Sequence, residues 1–409
     1  MGDMLPKTNA GEILLNPLAN LNADYGAAHA AILNDAAFEQ ANKTISAWPG
    51  YAPTPLYELT ALADAVGIAA ISYKDEGDRF GLGSFKALGG AYAVARLLLR
   101  EIARREGGHE PSIEAILSGA HATIVSEITV CCATDGNHGR SVAWGARTFG
   151  CACEIFIHAT VSEGRKAAIE AYGARVTRTG GNYDDSVREA QKAATRKGWF
   201  VVSDTSYPGY TDVPKDVMQG YELMAAEALD QMDTPPTHIF LQTGVGGMAA
   251  AIAAFFKRRF GKKRPLIILT DPDQSACWLE SIRNGAPTAV HGDLATLMAG
   301  LACGEVSMLA WDILKDTADA VIAVSDDQAV AMMRQLAEPE APDRPIVAGE
   351  SAVAGLAGLL LAANDPRARN DLKLGPDARV LVFGTESDTD PGLYNDLVGR
   401  SGAVVRASV

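Results

Sequence analysis

The stretch Gly83-Ser84-Phe85-Lys86-Ala87 sets one lysine between a glycine-bearing loop and an apolar run that reads as a helix from Ala87 to about Ile102. A side chain at the first turn of a helix feels the positive end of the aligned peptide dipoles, which favours the neutral amine. A neutral amine is the form that attacks a carbonyl carbon, so Lys86 is a candidate for Schiff-base chemistry. Taken alone, a lysine at a helix start is more commonly just a solvated side chain.

Three further loops follow apolar strands, the place where open α/β sheets bind their ligands. The strand Ile128–Cys132 runs into Ala133-Thr134-Asp135-Gly136-Asn137-His138-Gly139-Arg140 and a helix. Backbone amides at that helix start can hold a carboxylate, and Asn137 offers a neutral donor to a phenolate-like oxygen. An ordinary capping turn uses the same residue types. The strand His238–Gln242 runs into Thr243-Gly244-Val245-Gly246-Gly247-Met248 and an alanine-rich helix. Glycines there let amides approach an anion, and the helix dipole favours a phosphate. The same glycines, with Ala249 and Asp271, also satisfy a dinucleotide fingerprint. The strand Arg379–Phe383 ends in Gly384-Thr385-Glu386-Ser387. The Thr385 hydroxyl can meet a ring nitrogen without protonating it.

The elements that must position these loops alternate along the chain. Strands are expected near Ala69–Lys74, Ile128–Ala133, Glu154–His158, Arg175–Thr179, Phe200–Ser203, His238–Gln242, Leu266–Leu269, Ala320–Val324 and Arg379–Phe383. Amphipathic helices such as Lys166–Tyr172 and Tyr183–Thr195 lie between most of them. Alternation of this kind argues for an α/β protein with parallel sheets covered on both faces. Residues 1–48 read as a peripheral arm with one helix near Ala36–Ala47, followed by a turn-rich stretch from Pro49 to Leu56. No internal repeat or low-complexity linker is evident.

At 409 residues, 48% hydrophobic and 21% charged, the chain has room for two domains and a sizeable core. A net charge of −14 speaks against nucleic acid as a partner. No run approaches the roughly 18–20 apolar residues of a membrane span. There is no signal pattern at the N-terminus, and a cytoplasmic location is expected. The 6 cysteines do not make a disulfide framework. Cys151 and Cys153 are too closely spaced for a zinc knuckle, no metal site is expected, and pairing of Cys277 with Cys303 stays open.

Together these stretches resemble the tryptophan-synthase-β-like, fold type II family of pyridoxal-phosphate enzymes. The likeness rests on Phe80 to Gly90, Ala133 to Arg140, Asp204-Thr205 with Gly209-Tyr210, Met298 to Glu305, and Gly384-Thr385-Glu386, and spans about Pro49 to Asp390. It implies two doubly wound α/β domains. The large cofactor-binding domain would comprise 1–90 and 220–409, and the small one 91–219. Lys86 and Gly244–Gly247 would meet across pyridoxal phosphate, in a homodimer acting on a small amino acid.

The resemblance implies that Lys86 holds the cofactor and Asn137 bonds its ring hydroxyl. Gly244, Val245, Gly246 and Gly247 would cradle its phosphate, with Thr385 opposite the ring nitrogen. Thr134, Asp135, Gly136 and His138 would hold the substrate. Asp135 stands where threonine and serine dehydratases of the family typically carry serine. A carboxylate there can attract a second ammonium or take a proton, which suits a diamine. The implied reaction is α,β-elimination of D- and L-2,3-diaminopropionate to pyruvate and two ammonia. Asp135 would serve the D isomer and Lys86 the L isomer, with Asp204 a further carboxylate of the pocket. A solvent-facing turn is the alternative for Asp204. The competing activities are a threonine or serine dehydratase or another β-substituted-alanine lyase, a catalytically silent binding relative, and an NAD-dependent oxidoreductase using Gly244–Gly247 and Asp271.

Overall fold

The computed structural model describes residues 11–134, 136–181 and 183–408. The strands among them are β1 (Ile13–Leu15), β2 (Leu56–Glu58), β3 (Ala70–Asp75), β4 (Thr129–Ala133), β5 (Ala152–Ile157), β6 (Arg175–Arg178), β7 (Phe200–Val201), β8 (His238–Gln242), β9 (Leu266–Pro272), β10 (Ala320–Val324) and β11 (Arg379–Gly384). They fall into two compact units. One is built from the segment ending at Ile32, Pro53–Gly83 and the chain from Met224 onward; the other from Leu33–Ala52 and Ser84–Leu223.

The first unit carries a sheet in the order β1-β10-β9-β8-β11-β3-β2. Its five inner strands are parallel, and β1 and β2 pair antiparallel at the two edges. Strands buried on both faces read as continuous apolar runs, and every residue of β8 and β10 is buried. The edge strands have three residues each and no fully buried position, too short to give an alternating signal. Ile71, Phe240, Ile268, Ile322, Leu359 and Val382 belong to one core cluster in this unit.

The second unit carries the parallel sheet β6-β5-β4-β7. Small residues bring its helices Ala87–Glu106 and Asn137–Phe149 into close contact. A Cβ on Gly90 would lie 2.0 Å from Ser141 Oγ, and one on Gly145 would lie 2.8 Å from Ala91 Cα. This packing draws the whole Lys86 helix into the second unit, whereas the sequence reading carried the larger domain on to residue 90. Residues 33–52, read as the end of the arm and the start of the turn-rich stretch, also belong here. Trp48 supplies the reason: it is 2% exposed and packs on Trp144 and Phe149 at centroid distances of 5.8 and 5.5 Å.

Each sheet has a point where chain order reverses. In the first, β9 and β10 follow β8 outward on one side while β11 lies on the other. In the second, β5 and β6 extend from one side of β4 and β7 from the other. Such switch points open a crevice beyond the strand ends. The four loops singled out for their chemistry include the three that leave β4, β8 and β11. Asp204 lies just beyond β7.

Candidate active site

In the first unit the β8–helix loop is held from beneath. Thr243 donates its N–H to Thr270 O at 2.9 Å. The Trp278 indole donates Nε1–H to Gly244 O at 3.0 Å, and Ser307 donates its N–H to Val245 O at 2.9 Å. The carbonyls are thereby turned into the protein. The N–H groups of Gly244 to Gly247 find no acceptor among the described residues and stand at the start of helix Gly247–Phe260. Close approach demands glycine here. Gly246 has φ +96°, and its Cβ would lie 2.3 Å from Trp278 Cζ2; a Cβ on Gly244 would lie 3.1 Å from Cys303 Sγ. Unclaimed amides at a helix N-terminus, with no side chains in the way, make an anion cradle.

Across the switch point, Thr385 follows β11 and is 4% exposed. Gln242, the last residue of β8, donates Nε2–H to Thr385 Oγ1 at 2.9 Å and approaches Phe383 O at 2.8 Å. A hydroxyl that already accepts from an amide is left to present its own proton elsewhere. Sequence reasoning passed over Gln242. Its signal was a polar residue ending an otherwise apolar buried strand. Ser351 N–H donates to Glu386 Oε1, and Gly300 N–H donates to Ser351 Oγ, both at 3.0 Å, so the 298–305 and 384–387 segments are tied through Ser351.

The approach to Lys86 begins in the first unit with a buried, charge-balanced network. Arg79 reaches Glu76 at 2.8 Å and Glu227 at 2.6 Å, and Lys74 reaches Glu227 at 2.9 Å. The loop then turns through positive φ at Phe80, Gly81 and Gly83.

In the second unit, Lys86 is the residue that precedes helix Ala87–Glu106. Its Nζ lies 2.8 Å from Asp204 Oδ2 and 5.3 and 5.8 Å from the ring centroids of Phe85 and Tyr221. The aromatic pair, overlooked in sequence, walls the lysine stem. Asp204 thus faces the lysine, 18% exposed, with His138 Nδ1 at 3.8 Å. Burial would raise its pKa, but Lys86 and His138 more than offset that and hold the carboxyl well below the usual carboxylate range. His138 Nε2 lies 2.8 Å from Val202 O. A carbonyl only accepts, so Nε2 carries a hydrogen and Nδ1 faces the carboxylate.

The loop after β4 is organised by Thr134, whose Oγ1 accepts the N–H groups of Gly136 (3.1 Å) and Gly139 (3.0 Å). Thr134 is therefore committed to shaping the turn. Asn137 opens helix Asn137–Phe149 and is half-buried. Asp135 lies outside the described residues. The structure thus brings Lys86, Asp204 and His138 together in one unit, and Gly244–Gly247 with Thr385 in the other.

Two other readings can be settled here. Asp271, which a dinucleotide site would need at a ribose, is wholly buried beneath the glycine loop with its oxygens bonded to Thr243, Trp278 and Leu279. Cys277 and Cys303 are free thiols, as are the other four cysteines. Among the described residues no helix is long and apolar enough to cross a membrane.

The first unit carries an anion cradle at its switch point, and the second a lysine amine held by a carboxylate. Residues 47–386 match the family described as "Pyridoxal-phosphate dependent enzyme", and the chain belongs to it. The fold is the type II, tryptophan-synthase-β-like one. Among its relatives, the diaminopropionate ammonia-lyase of Escherichia coli strain K12 is 41% identical over 357 residues, 85% of this chain and 88% of that one. The diaminopropionate ammonia-lyase of Salmonella typhimurium strain LT2 is 38% identical over 365 residues, 86% and 90% of the two chains. The crystal structure of the holo diaminopropionate ammonia lyase of Escherichia coli superposes with a TM-score of 0.86 at 36% identity, covering 95% of this chain and 96% of that one. The family's cofactor is pyridoxal phosphate, and the residues present fit it. The unclaimed amides suit a phosphate, the Thr385 hydroxyl a ring nitrogen, and the Lys86 amine an aldehyde.

Proposed function

We propose that the chain is a lyase that converts 2,3-diaminopropionate, D and L, with one water, to pyruvate and two ammonia by α,β-elimination. The observation that carries the reading is the Lys86–Asp204 pair, 2.8 Å apart at a helix start, in a chain that also builds a glycine cradle. Relatives bearing this activity by name, at 38 and 41% identity, support the choice of substrate.

Pyridoxal phosphate, when bound, supplies an electron sink for the pair released from the Cα–H bond. Lys86 would bind its aldehyde carbon, Gly244, Val245, Gly246 and Gly247 would hold its phosphate, Asn137 its ring hydroxyl and Thr385 its ring nitrogen. Asp204 accepts a hydrogen bond from Lys86 and keeps the amine oriented once it is exchanged for the substrate's. Lys86 then takes the Cα proton of the L isomer, and Asp135 that of the D isomer. Thr134 and Gly136 shape the loop that receives the substrate carboxylate, and His138 steadies Asp204. The enzyme is assigned as a cytoplasmic homodimer; six free cysteines suit a reducing compartment.

Pyruvate release from D- and L-diaminopropionate, serine, threonine and other β-substituted alanines tests the reading. Diaminopropionate should be turned over best in both configurations. Preference for serine or threonine would make the enzyme a dehydratase. Borohydride reduction followed by peptide mapping should place the label on Lys86, and light scattering should give twice the chain mass.

A further inference from the structure

Asp271, the last residue but one of β9, is at 0% exposure, and no cation among the described residues pairs with it. Its Oδ2 accepts the N–H groups of Trp278 and Leu279 at 2.8 and 3.0 Å, at the start of helix Cys277–Asn284. Its Oδ1 meets Thr243 Oγ1, which also lies 3.1 Å from Thr270 O. The hydrogens of this set have two self-consistent arrangements. If the carboxylate is ionised, the Thr243 hydroxyl donates to Oδ1. If Oδ1 carries a proton, the carboxyl donates to Thr243, whose own hydrogen turns to Thr270 O. In both, Oδ2 accepts two amides.

Two paths lead from Asp271 to the anion cradle. Thr243 directly precedes Gly244, and Trp278, whose amide Asp271 accepts from, donates its indole hydrogen to Gly244 O. We propose that Asp271 is a proton-linked latch beneath the cradle: it takes one proton from solvent onto Oδ1 as the cofactor's phosphate group binds, and returns it when the phosphate leaves. The inference rests on reading Gly244–Gly247 as the phosphate site.

Burial pushes the Asp271 carboxyl up to about 7, with its three hydrogen bonds acting in the opposite sense. The group is thus near balance at neutral pH, and a second negative charge next to it favours the protonated form. The other titratable groups facing it do not supply a competing proton switch. Cys277, on the adjoining helix, has its thiol pushed far up by burial and by Asp271 itself. Cys303 lies across Gly244. Glu280 and Arg283 pair with each other at the outer face of the same helix. β10 and helix Ala354–Asn364, which pack on β9, carry no charged residue. On β8, His238 pairs with Leu266, at the other end of β9. Asp273, two residues on, is exposed.

The test is the dissociation constant for pyridoxal phosphate, measured by dilution of the holoenzyme between pH 6 and 9, in the wild type and Asp271→Asn. The wild-type to variant ratio cancels ionisations of the cofactor and of Lys86. The latch predicts that wild-type affinity falls relative to the variant by up to ~10-fold per pH unit above 7, reaching on the order of 10²-fold at pH 9. Parallel curves would overturn it. Equal affinities for pyridoxal and pyridoxal phosphate would instead overturn the phosphate-cradle reading on which it stands. Should Asp271→Asn fail to fold, calorimetry of the wild type at pH 8 in buffers of different ionisation enthalpy decides. Pyridoxal phosphate should bind with close to one more proton taken up than pyridoxal, and equal proton counts would refute the latch.

Discussion

Gly246→Ala adds one methyl group, and the structure says where it goes. The residue sits at φ +96°, in the region that L side chains rarely adopt, and the new Cβ would be 2.3 Å from Trp278 Cζ2 and 2.8 Å from its Nε1. The backbone conformation alone costs on the order of 1–3 kcal/mol. Ordinary contact needs more than an ångström of further separation, yet Trp278 is rigid, 0% exposed and stacked on Trp311 at 6.1 Å. Overpacking of this kind adds roughly 1–3 kcal/mol. A displaced indole also loses its bond to Gly244 O, about 1 kcal/mol net. The sum is roughly 3–7 kcal/mol, a large share of the ~5–15 kcal/mol that stabilises a typical protein. Gly285→Ala is the control: its φ is +68° with nothing within 4 Å of the new Cβ, so only the backbone term applies. Urea unfolding followed by tryptophan fluorescence, with cofactor titration alongside, separates the two. Gly246→Ala should shift the midpoint far more than Gly285→Ala and weaken pyridoxal phosphate at least 10-fold. If the two variants unfold together and bind the cofactor alike, the picture of a loop wedged against Trp278 is wrong.

Lys86→Ala should abolish turnover of both isomers and the borohydride-sensitive visible band, while circular dichroism stays unchanged. Asp135→Asn should lower D-diaminopropionate turnover by roughly 10²-fold or more and affect the L isomer less, as expected when one of two bases is lost; equal small effects would make the aspartate structural. Gln242→Leu should leave Phe383 O without its donor, costing roughly 1–3 kcal/mol, and should shift the bound cofactor's absorption as Thr385 loses its orientation. For Asp271, the folded carboxyl, at about 7, titrates above the unfolded one at ~3.9, so the folded state holds the extra proton between those values. Stability should therefore fall as pH rises from about 4 to about 7, by up to roughly 4 kcal/mol, and unfolding midpoints of Asp271→Asn should lack that slope.

The parallel strands and the loops after them were legible because most of the strands are runs rich in apolar residues followed by glycine or polar residues. β8 and β10 begin and end where the sequence places them. The edges were not, since β1 and β2 are three residues long and owe their strand geometry to a neighbour's hydrogen bonds. Trp48 could not be assigned to its unit from sequence, because a single aromatic residue carries no period. At the site, Lys86 and the glycine loop announce themselves by backbone chemistry. The roles of Gln242 and Trp278 and the pairing of Asp204 with Lys86 do not. These are contacts made over separations of 143, 34 and 118 residues, which no local pattern encodes.

The register of β3 against β11 pairs Ala70 with Arg379 and Asp75 with Gly384. Some 300 residues separate the two strands, and all of Ser84–Leu223 is made in between. At ~5–20 residues per second, β3 leaves the ribosome roughly 15–60 s before the strand that completes its pairing. The second unit, whose segments all precede residue 224, has its full sequence long before the first. Synthesis thus favours an order in which the lysine-bearing unit folds early, while the apolar β3 waits with one edge open. A nascent chain stalled before Arg379 would carry that unpaired edge, and there the demand for a chaperone should be greatest.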